Sequence, residues 1–247
     1  MSVKQNYISY SLWGAKPIYN IGMLKNIRQA AEIYPGWQVI VYHDDTVPLQ
    51  TLIEIQKTGA RVVNVTKNIY GMFWRFYAAD LPDCGYVIFR DSDSRLSVRE
   101  KAAVDEWINS GKAIHIMRDH PYHQDPIDNT GYQMLGGMWG IRGGLLNMTE
   151  LIDNYALNKP LKYGSDQFFL NSIYTMFKDS ATIHDEFFSG SKFPVKRKNY
   201  RFIGERFDEN DQPDPNTWKL VREHYRNKSF RWTAFKTLKN LAKHLIR

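Results

Sequence analysis

Cysteine is nearly absent: Cys84 is the single one in 247 residues. No internal disulfide can form, and nothing argues for an oxidising compartment. Cys84 lies in the turn-like stretch Leu81-Pro82-Asp83-Cys84-Gly85 and reads as a spectator thiol. Long apolar runs are missing too. No window offers the roughly 18 apolar residues that span a membrane, and no basic N-terminal stretch leads into an apolar one, as a secretion signal would. A cytoplasmic location is the expectation. Internal repeats and low-complexity linkers are also missing, and the length suits one large α/β domain. Acidic residues are scarce at one end. Residues 219–247 hold one acid, Glu223, against nine Lys or Arg, a net of +8; the whole chain is +7, so residues 1–218 sum to −1. A basic tail on a near-neutral body points to an acidic partner for the tail alone.

What is present is an alternation of strand and helix. Val3 to Leu12 reads as a strand and Tyr19 to Ile33 as a helix, with Ile21, Leu24, Ile27, Ala30 and Ala31 at helical spacing and Pro35-Gly36 as its stop. Trp37 to Tyr42 is a second strand that runs into His43-Asp44-Asp45. Pro48 to Thr58 is a helix, Ala60 to Val65 a strand, Phe73 to Asp80 a helix, and Tyr86 to Phe89 a fourth strand that stops at Arg90-Asp91. Lys101 to Ser110 (helix), Ala113 to Met117 (strand), Leu145 to Leu157 and Ser165 to Phe177 (helices) follow. Residues 118–133 read as a polar loop, Met134 to Ile141 as glycine-rich and apolar, and 185–217 as irregular. The pattern predicts an α/β fold, Rossmann-like, with a central, mostly parallel sheet. Such sheets bind ligands beyond the carboxyl ends of their strands. The acidic clusters at 43–45 and 91–93 both fall there.

The main chemical signal is Val87-Ile88-Phe89-Arg90-Asp91-Ser92-Asp93, an apolar strand that delivers two aspartates into a loop. Paired carboxylates offer hard oxygen ligands to Mg²⁺ or Mn²⁺, and few protein ligands suffice when a diphosphate supplies the others. Such an ion neutralises the leaving diphosphate of a pyrophosphate-linked sugar. Asp-x-Asp also occurs in solvated loops; the strand end and the upstream α/β pattern favour a metal role for Asp91 and Asp93.

At these residues the sequence resembles the glycosyltransferase A superfamily. Arg75-Phe76-Tyr77-Ala78-Ala79-Asp80-Leu81-Pro82, followed by the strand and Asp91-Ser92-Asp93, looks like the family 8 glycosyltransferases, in which a helix arginine and the aspartate pair flank the donor. Tyr163-Gly164-Ser165-Asp166-Gln167-Phe168 is similar to that group's Asp-Gln-Asp helix start, with Phe168 in place of the second aspartate. The resemblance covers roughly residues 5–195 and implies a glycosyltransferase A fold, a divalent ion, and transfer from a nucleoside diphosphate sugar, uridine-linked by expectation, to a hydroxyl acceptor. It implies a nucleotide contact for Asp44 or Asp45, although either also suits a helix cap. Arg75, with Asp80 on the same helix, would bind the diphosphate or orient Asp93; a surface salt bridge is the alternative. Asp166 would touch the donor sugar or act as a base, or merely neighbour a helix cap. His184, with the segment Ser189-Gly190-Ser191-Lys192, is similar to the family's C-terminal histidine and lysine: a third metal ligand for His184, a diphosphate contact for Lys192.

Other candidates come from the residues themselves. Tyr10, Ser11 and Trp13 end the first strand, where one of them would border the base and the others pack. Leu135-Gly136-Gly137-Met138-Trp139-Gly140 joins close-approach glycines to a tryptophan. Gly137 and Trp139 suit a sugar's hydroxyls and C–H face, and equally a tight strand with a buried ring. His120 and His123 lack the companion ligands of a zinc site. Nucleotidyl transfer also uses paired acids, but Ser11-Leu12-Trp13-Gly14-Ala15-Lys16 is a poor match to its glycine-rich basic signature. A non-catalytic nucleotide-binding module is a further alternative.

The reading divides the chain into a catalytic domain, 1–218, and a basic amphipathic tail, 219–247. Phe230, Ala234, Leu238, Leu241 and Leu245 form one helical stripe, with Lys236, Lys239, Lys243 and Arg247 on the other side. That pattern suits a helix on an anionic membrane surface, near a lipid-linked or surface glycan acceptor. Packing on the domain, or contact with a polyanionic acceptor such as nucleic acid, are the alternatives.

Overall fold

Strands β1 (Gln5–Leu12) and β4 (Cys84–Arg90) are buried over most of their length and occupy the centre of the sheet. The architecture comes from a computed structural model, which describes residues 4–121, 123, 133–188 and 190–227. After β1 come α1 (Pro17–Ile33), β2 (Gln38–His43), α2 (Leu49–Lys57), β3 (Arg61–Asn64) and a 3₁₀ segment, Gly71–Asp80. After β4 come α3 (Val98–Ser110), β5 (Ile114–Arg118), β6 (Trp139–Arg142), α4 (Met148–Asn158), α5 (Ser165–Phe177), β7 (Ala181–Asp185) and a helix, α6, over 215–227.

Among the described residues seven strands form one sheet in the order β3-β2-β1-β4-β6-β5-β7. Every neighbouring pair is parallel except those made by β6, which runs antiparallel to β4 and β5. The fold is therefore α/β with a mostly parallel sheet, as the alternating pattern predicts. From β1 the chain winds outward through β2 to β3, then returns to lay β4 on β1's other side. The strand order reverses between β1 and β4, and a crevice opens at such a reversal.

The period-two alternation of strands sorts the core into two layers. Ile8, Tyr10 and Leu12 point to the face covered by α1, α2 and α3. Tyr7, Val87 and Phe89 point to the other, under the 3₁₀ segment, α4 and α5. Ser9 and Ser11 share the second face, and their hydroxyls engage Arg75: Ser9 Oγ donates to the Arg75 carbonyl (2.7 Å) and the Arg75 N–H donates to Ser11 Oγ (2.9 Å). These bonds divert the Arg75 backbone from a regular i→i−4 ladder. The segment Gly71–Asp80 is 3₁₀, where the sequence predicts an ordinary helix over Phe73 to Asp80, and the diverted groups of Arg75 lie at its middle.

Two further elements differ from the sequence-based expectation. β7 had no predicted counterpart, because Ala-Thr-Ile-His-Asp is short and half polar; pairing with β5 makes it a strand. The glycine-rich stretch after 134 yields β6, and Gly140 explains why a glycine is needed: a Cβ there would lie 2.7 Å from the Val87 carbonyl oxygen. Helix ends follow local chemistry. Ser97 Oγ accepts from the Glu100 N–H (3.2 Å) to cap α3, and Gly111, at φ 67, closes it. Of the tail, 219–227 belongs to α6, where Val221 is buried and Leu220 exposed. The amphipathic stripe from Phe230 onward lies outside the described residues. Among the described residues no helix is long and apolar enough to cross a membrane.

One buried ion pair fixes the end of β4. Arg90 and Glu100 are at most 2% exposed; Arg90 Nε meets Glu100 Oε1 at 2.5 Å, and its Nη1 donates to the carbonyls of Phe89 (2.6 Å) and Trp139 (3.1 Å). Tyr34 donates to the same carboxylate at 3.0 Å. Removing one partner strands the other charge out of water, a loss of about 3–5 kcal/mol, whereas replacing both with apolar residues of similar size is far milder. Urea unfolding of Glu100→Ala is accordingly expected to show that loss, and the double variant Arg90→Met/Glu100→Leu to recover most of it. Equal losses in the single and double variants would contradict this account.

Candidate active site

A cleft of about 1080 Å³, its open mouth included, lies at the reversal between β1 and β4. Ser11, Leu12 and Trp13 leave β1 along one side, and Asp91-Ser92-Asp93 leave β4 at the base. Leu135 to Met138, with Tyr163, Asp166 and Gln167, supply another side; Gly204 and Arg206 reach it from the C-terminal segment.

The base loop is held from beneath. The Ser92 carbonyl accepts from Asn26 Nδ2 (3.1 Å) and Arg95 Nη1 (3.4 Å). Gly22 lets α1 pass against that carbonyl, for a Cβ at 22 would overlap the Ser92 oxygen. Asp91 and Asp93 thus project from a loop whose middle is clamped.

Arg75 links the sides of the cleft. It is 4% exposed, and its guanidinium bonds to Asp91 Oδ1, Asp166 Oδ2 (3.2 Å) and the Arg90 carbonyl (3.2 Å). Burial works against the charge, but the carboxylates of Asp91 and Asp166 outweigh it and raise Arg75 above the ordinary arginine value. Gly136 and Gly137 make room for this cluster. A Cβ at 136 would collide with Arg75 Nη2 and Asp166 Oδ2, and one at 137 with Asp91 Oδ2.

The carboxylates are under-compensated. Burial, then the nearby Asp91 charge, push Asp93 up to about 6 against the pull of Arg206, whose Nε lies 3.2 Å away. Asp166 is fully buried at the first turn of α5. Burial raises its pKa and Arg75 opposes the rise. Its Oδ1 accepts no hydrogen bond from the described residues, an open acceptor of the kind a ligand satisfies. Among the described residues no group of three or more His, Cys, Asp or Glu gathers as a metal cluster. The donor set is two hard carboxylates, and it fits Mg²⁺ or Mn²⁺ with most ligands drawn from water or phosphate, not a zinc-type cage.

Of the sequence-predicted residues, Asp91, Asp93, Arg75, Gly137 and Asp166 meet at this cleft. Ser11 and Trp13, also expected near the base, line it as well, whereas Tyr10, Trp139, Asp80, Asp44, Asp45, His184 and Lys192 do not. Tyr10 faces the α1 side of the sheet, fully buried, because its parity along β1 is opposite to that of Ser9 and Ser11. Trp139 is a core residue between Phe76 and Phe89, with no exposed face for a sugar. Asp80 caps α4, accepting from the N–H groups of Met148 and Thr149 at 2.7 Å each. Asp44 closes its own turn through Thr46 N (3.0 Å), and Asp45 accepts from Asn64 Nδ2 (2.6 Å). Neither lines the cleft, and neither caps α2, whose N-cap is Pro48.

His184 lies on edge strand β7, with β6 and β5 between it and β4. Its Nδ1 meets His115 Nε2 at 2.8 Å and its Nε2 meets Glu106 Oε2 at 3.0 Å, so both nitrogens are used internally, away from the aspartates. Lys192 Nζ donates to the carbonyls of Asp185 (3.3 Å) and Glu186 (2.9 Å), stapling the turn after β7. His120 Nε2 lies 3.0 Å from the Thr217 carbonyl oxygen, and His123 is buried.

Sequence reasoning missed Tyr19, Met72, Gly204 and Arg206 as cleft residues. Tyr19 reads as an ordinary helix position, Met72 falls just before the helix predicted from Phe73, and 204–206 fall in a stretch with no periodic pattern to place them. Trp13 is 40% exposed at the mouth, and its ring lies over Gly71, where a Cβ would come within 2.7 Å of it.

No protein-family model and no curated protein matches the chain. Among solved structures it is similar to S. aureus TarS 1–349 in complex with UDP, at 12% identity and a TM-score of 0.48, over 75% of this chain and 60% of that one. It is similar to the glycosyltransferase GlyE of Streptococcus pneumoniae TIGR4, at 15% identity and a TM-score of 0.48, over 74% of this chain and 45% of that one. A third is a glycosyltransferase involved in the glycosylation of the major capsid of PBCV-1, at 14% identity and a TM-score of 0.46, over 73% of this chain and 81% of that one.

Proposed function

We propose that this chain is a glycosyltransferase of the A type, which moves a sugar from a nucleoside diphosphate donor to a hydroxyl acceptor with the help of Mn²⁺ or Mg²⁺. The observation that carries the reading is the carboxylate pair Asp91 and Asp93 at the β1–β4 reversal, with Asp166 joined to it through the buried Arg75. The divalent ion would be held by Asp91 and Asp93 and would supply Lewis-acid stabilisation of the leaving diphosphate.

The protein's own residues do the positioning. Arg75 and Gly137 fix Asp91 from two sides. The Ser92 clamp holds the loop between the aspartates, so little reorganisation is needed as charge develops on the leaving group. Asp166 keeps Oδ2 on Arg75 and offers the free Oδ1 to a donor-sugar hydroxyl, orienting the sugar over the diphosphate. Trp13 and Tyr19 border the mouth with aromatic surface for the base or sugar. The acceptor we propose is a lipid-linked or surface glycan at an anionic membrane reached by the basic tail, with a polyanion as the competing acceptor. Vesicle co-sedimentation of the full chain separates the two.

Two outcomes check the catalytic reading. Asp91→Asn and Asp93→Asn keep the local hydrogen bonds but remove charge. Each is expected to lower metal-dependent diphosphate release from a panel of nucleotide sugars by at least about 100-fold, with an unchanged circular dichroism spectrum. Wild-type rates in both without excess metal would rule the site out. Asp166→Asn is expected to reduce kcat by roughly 100-fold while donor affinity by calorimetry changes much less. Lost donor binding with kcat unchanged at saturation would make Asp166 a binding residue only.

A further inference from the structure

Among the described residues two cations reach the cleft, Arg75 and Arg206, and they are built differently. Arg75 is buried and spent on three partners. Arg206 has a side chain 52% exposed and pairs with Asp93, Nε to Oδ2, at 3.2 Å. Its backbone, by contrast, is tied on both sides. The Phe207 N–H donates to the Asp93 carbonyl (2.8 Å), and the Asp214 N–H donates to the Arg206 carbonyl (3.0 Å). Further along, Asp211 is gripped by Lys25 (2.7 Å) and Arg95 (2.8 Å). The segment therefore holds the Arg206 Cα rigidly beside the aspartate loop and leaves the side chain free to turn.

From this geometry we infer that Arg206 is a stand-in cation at Asp93, which yields its place to the divalent ion when the donor arrives and then pairs with the donor's diphosphate. The inference rests on the metal and diphosphate reading of the cleft and deepens it. Arg206 faces one of the two oxygens with which Asp93 would ligate a metal, and a divalent ion beside it would repel the guanidinium, so ligation through that oxygen requires the side chain to move. A diphosphate brought in with the metal offers the displaced guanidinium new oxygens within reach of a side-chain rotation, and arginine binds phosphate oxygens in a two-pronged geometry. Before donor binding, Arg206 offsets the charge of a crowded carboxylate. Afterwards it adds positive charge at the leaving group, whereas Lys192 does not line the cleft and is spent on two carbonyls of the turn after β7. The pairing also disfavours binding of metal alone, so that metal and diphosphate enter together.

The test measures binding to the full chain by calorimetry, with Mn²⁺ alone and then with inorganic pyrophosphate in saturating Mn²⁺. Arg206→Ala removes both halves of the exchange, so the two affinities should move in opposite directions. Mn²⁺ alone is expected to bind several-fold tighter, and pyrophosphate about 10- to 100-fold weaker, the worth of a charge-assisted hydrogen bond. Arg206→Lys, which keeps the charge, should lie between wild type and Arg206→Ala on both scales. A residue that merely held the loop would weaken both affinities on removal, and that result would overturn the inference. So would a variant indistinguishable from wild type when wild type binds both ligands; the metal and diphosphate reading would then survive. Wild type binding neither Mn²⁺ nor pyrophosphate would overturn both.

Discussion

The guanidinium of Arg75 is charged, almost wholly buried, and bonded to parts of the chain far apart in sequence: the Arg90 carbonyl at the end of β4, Asp91 just past it, and Asp166 at the start of α5. A charge in that position is tolerable only with its partners in place, because taking an ion out of water costs several kcal/mol that its counter-ions must offset. The constraint therefore runs both ways. Arg75 needs both carboxylates, and each is oriented by Arg75. The backbone of the same residue is pinned by Ser9 and Ser11 of β1, which ties the first strand into the network. Strand β1, strand β4 and helix α5 converge on one residue, the first through its backbone and the others through its side chain.

Close approach by glycine is the second half of that arrangement. Gly136 and Gly137 pass where any side chain would overlap the Arg75–Asp91–Asp166 cluster, and Gly22 passes where one would overlap the Ser92 carbonyl. The cluster is thus enclosed by backbone on more than one side. A site enclosed this way restricts the rotamers of its carboxylates without spending further side chains on them, and the open surface is left to Trp13, Tyr19, Tyr163 and Arg206.

Away from the cleft, a second buried network holds the irregular C-terminal segment. Asp119 accepts from Arg99 (2.8 and 3.2 Å), Arg197 (2.7 Å) and the Ile203 N–H (2.9 Å), and Arg99 also pairs with Glu186 (3.0 Å). A stretch with no apolar period still acquires a fixed path when its polar groups converge on one carboxylate. That path ends at Gly204 and Arg206 in the cleft.

The sequence determined the class of fold and the centre of the site. Alternating apolar strands and amphipathic helices fixed the α/β winding, because period-two and period-3.6 patterns are local properties of the chain. An acidic pair at the end of an apolar strand located Asp91 and Asp93, because such strand ends open on the crevice. Only tertiary structure decided which side chains reach it. Tyr10 and Ser11 are neighbours in sequence and go to opposite faces of one strand, so the choice between them depends on which layer covers each face. Trp139, Asp80, His184 and Lys192 have the chemistry of site residues but are consumed by core, cap and turn contacts with partners 6 to 78 positions away. Arg206 has no local signal at all: it reaches Asp93, 113 positions earlier, because a buried polar network and a few backbone hydrogen bonds bring its segment there.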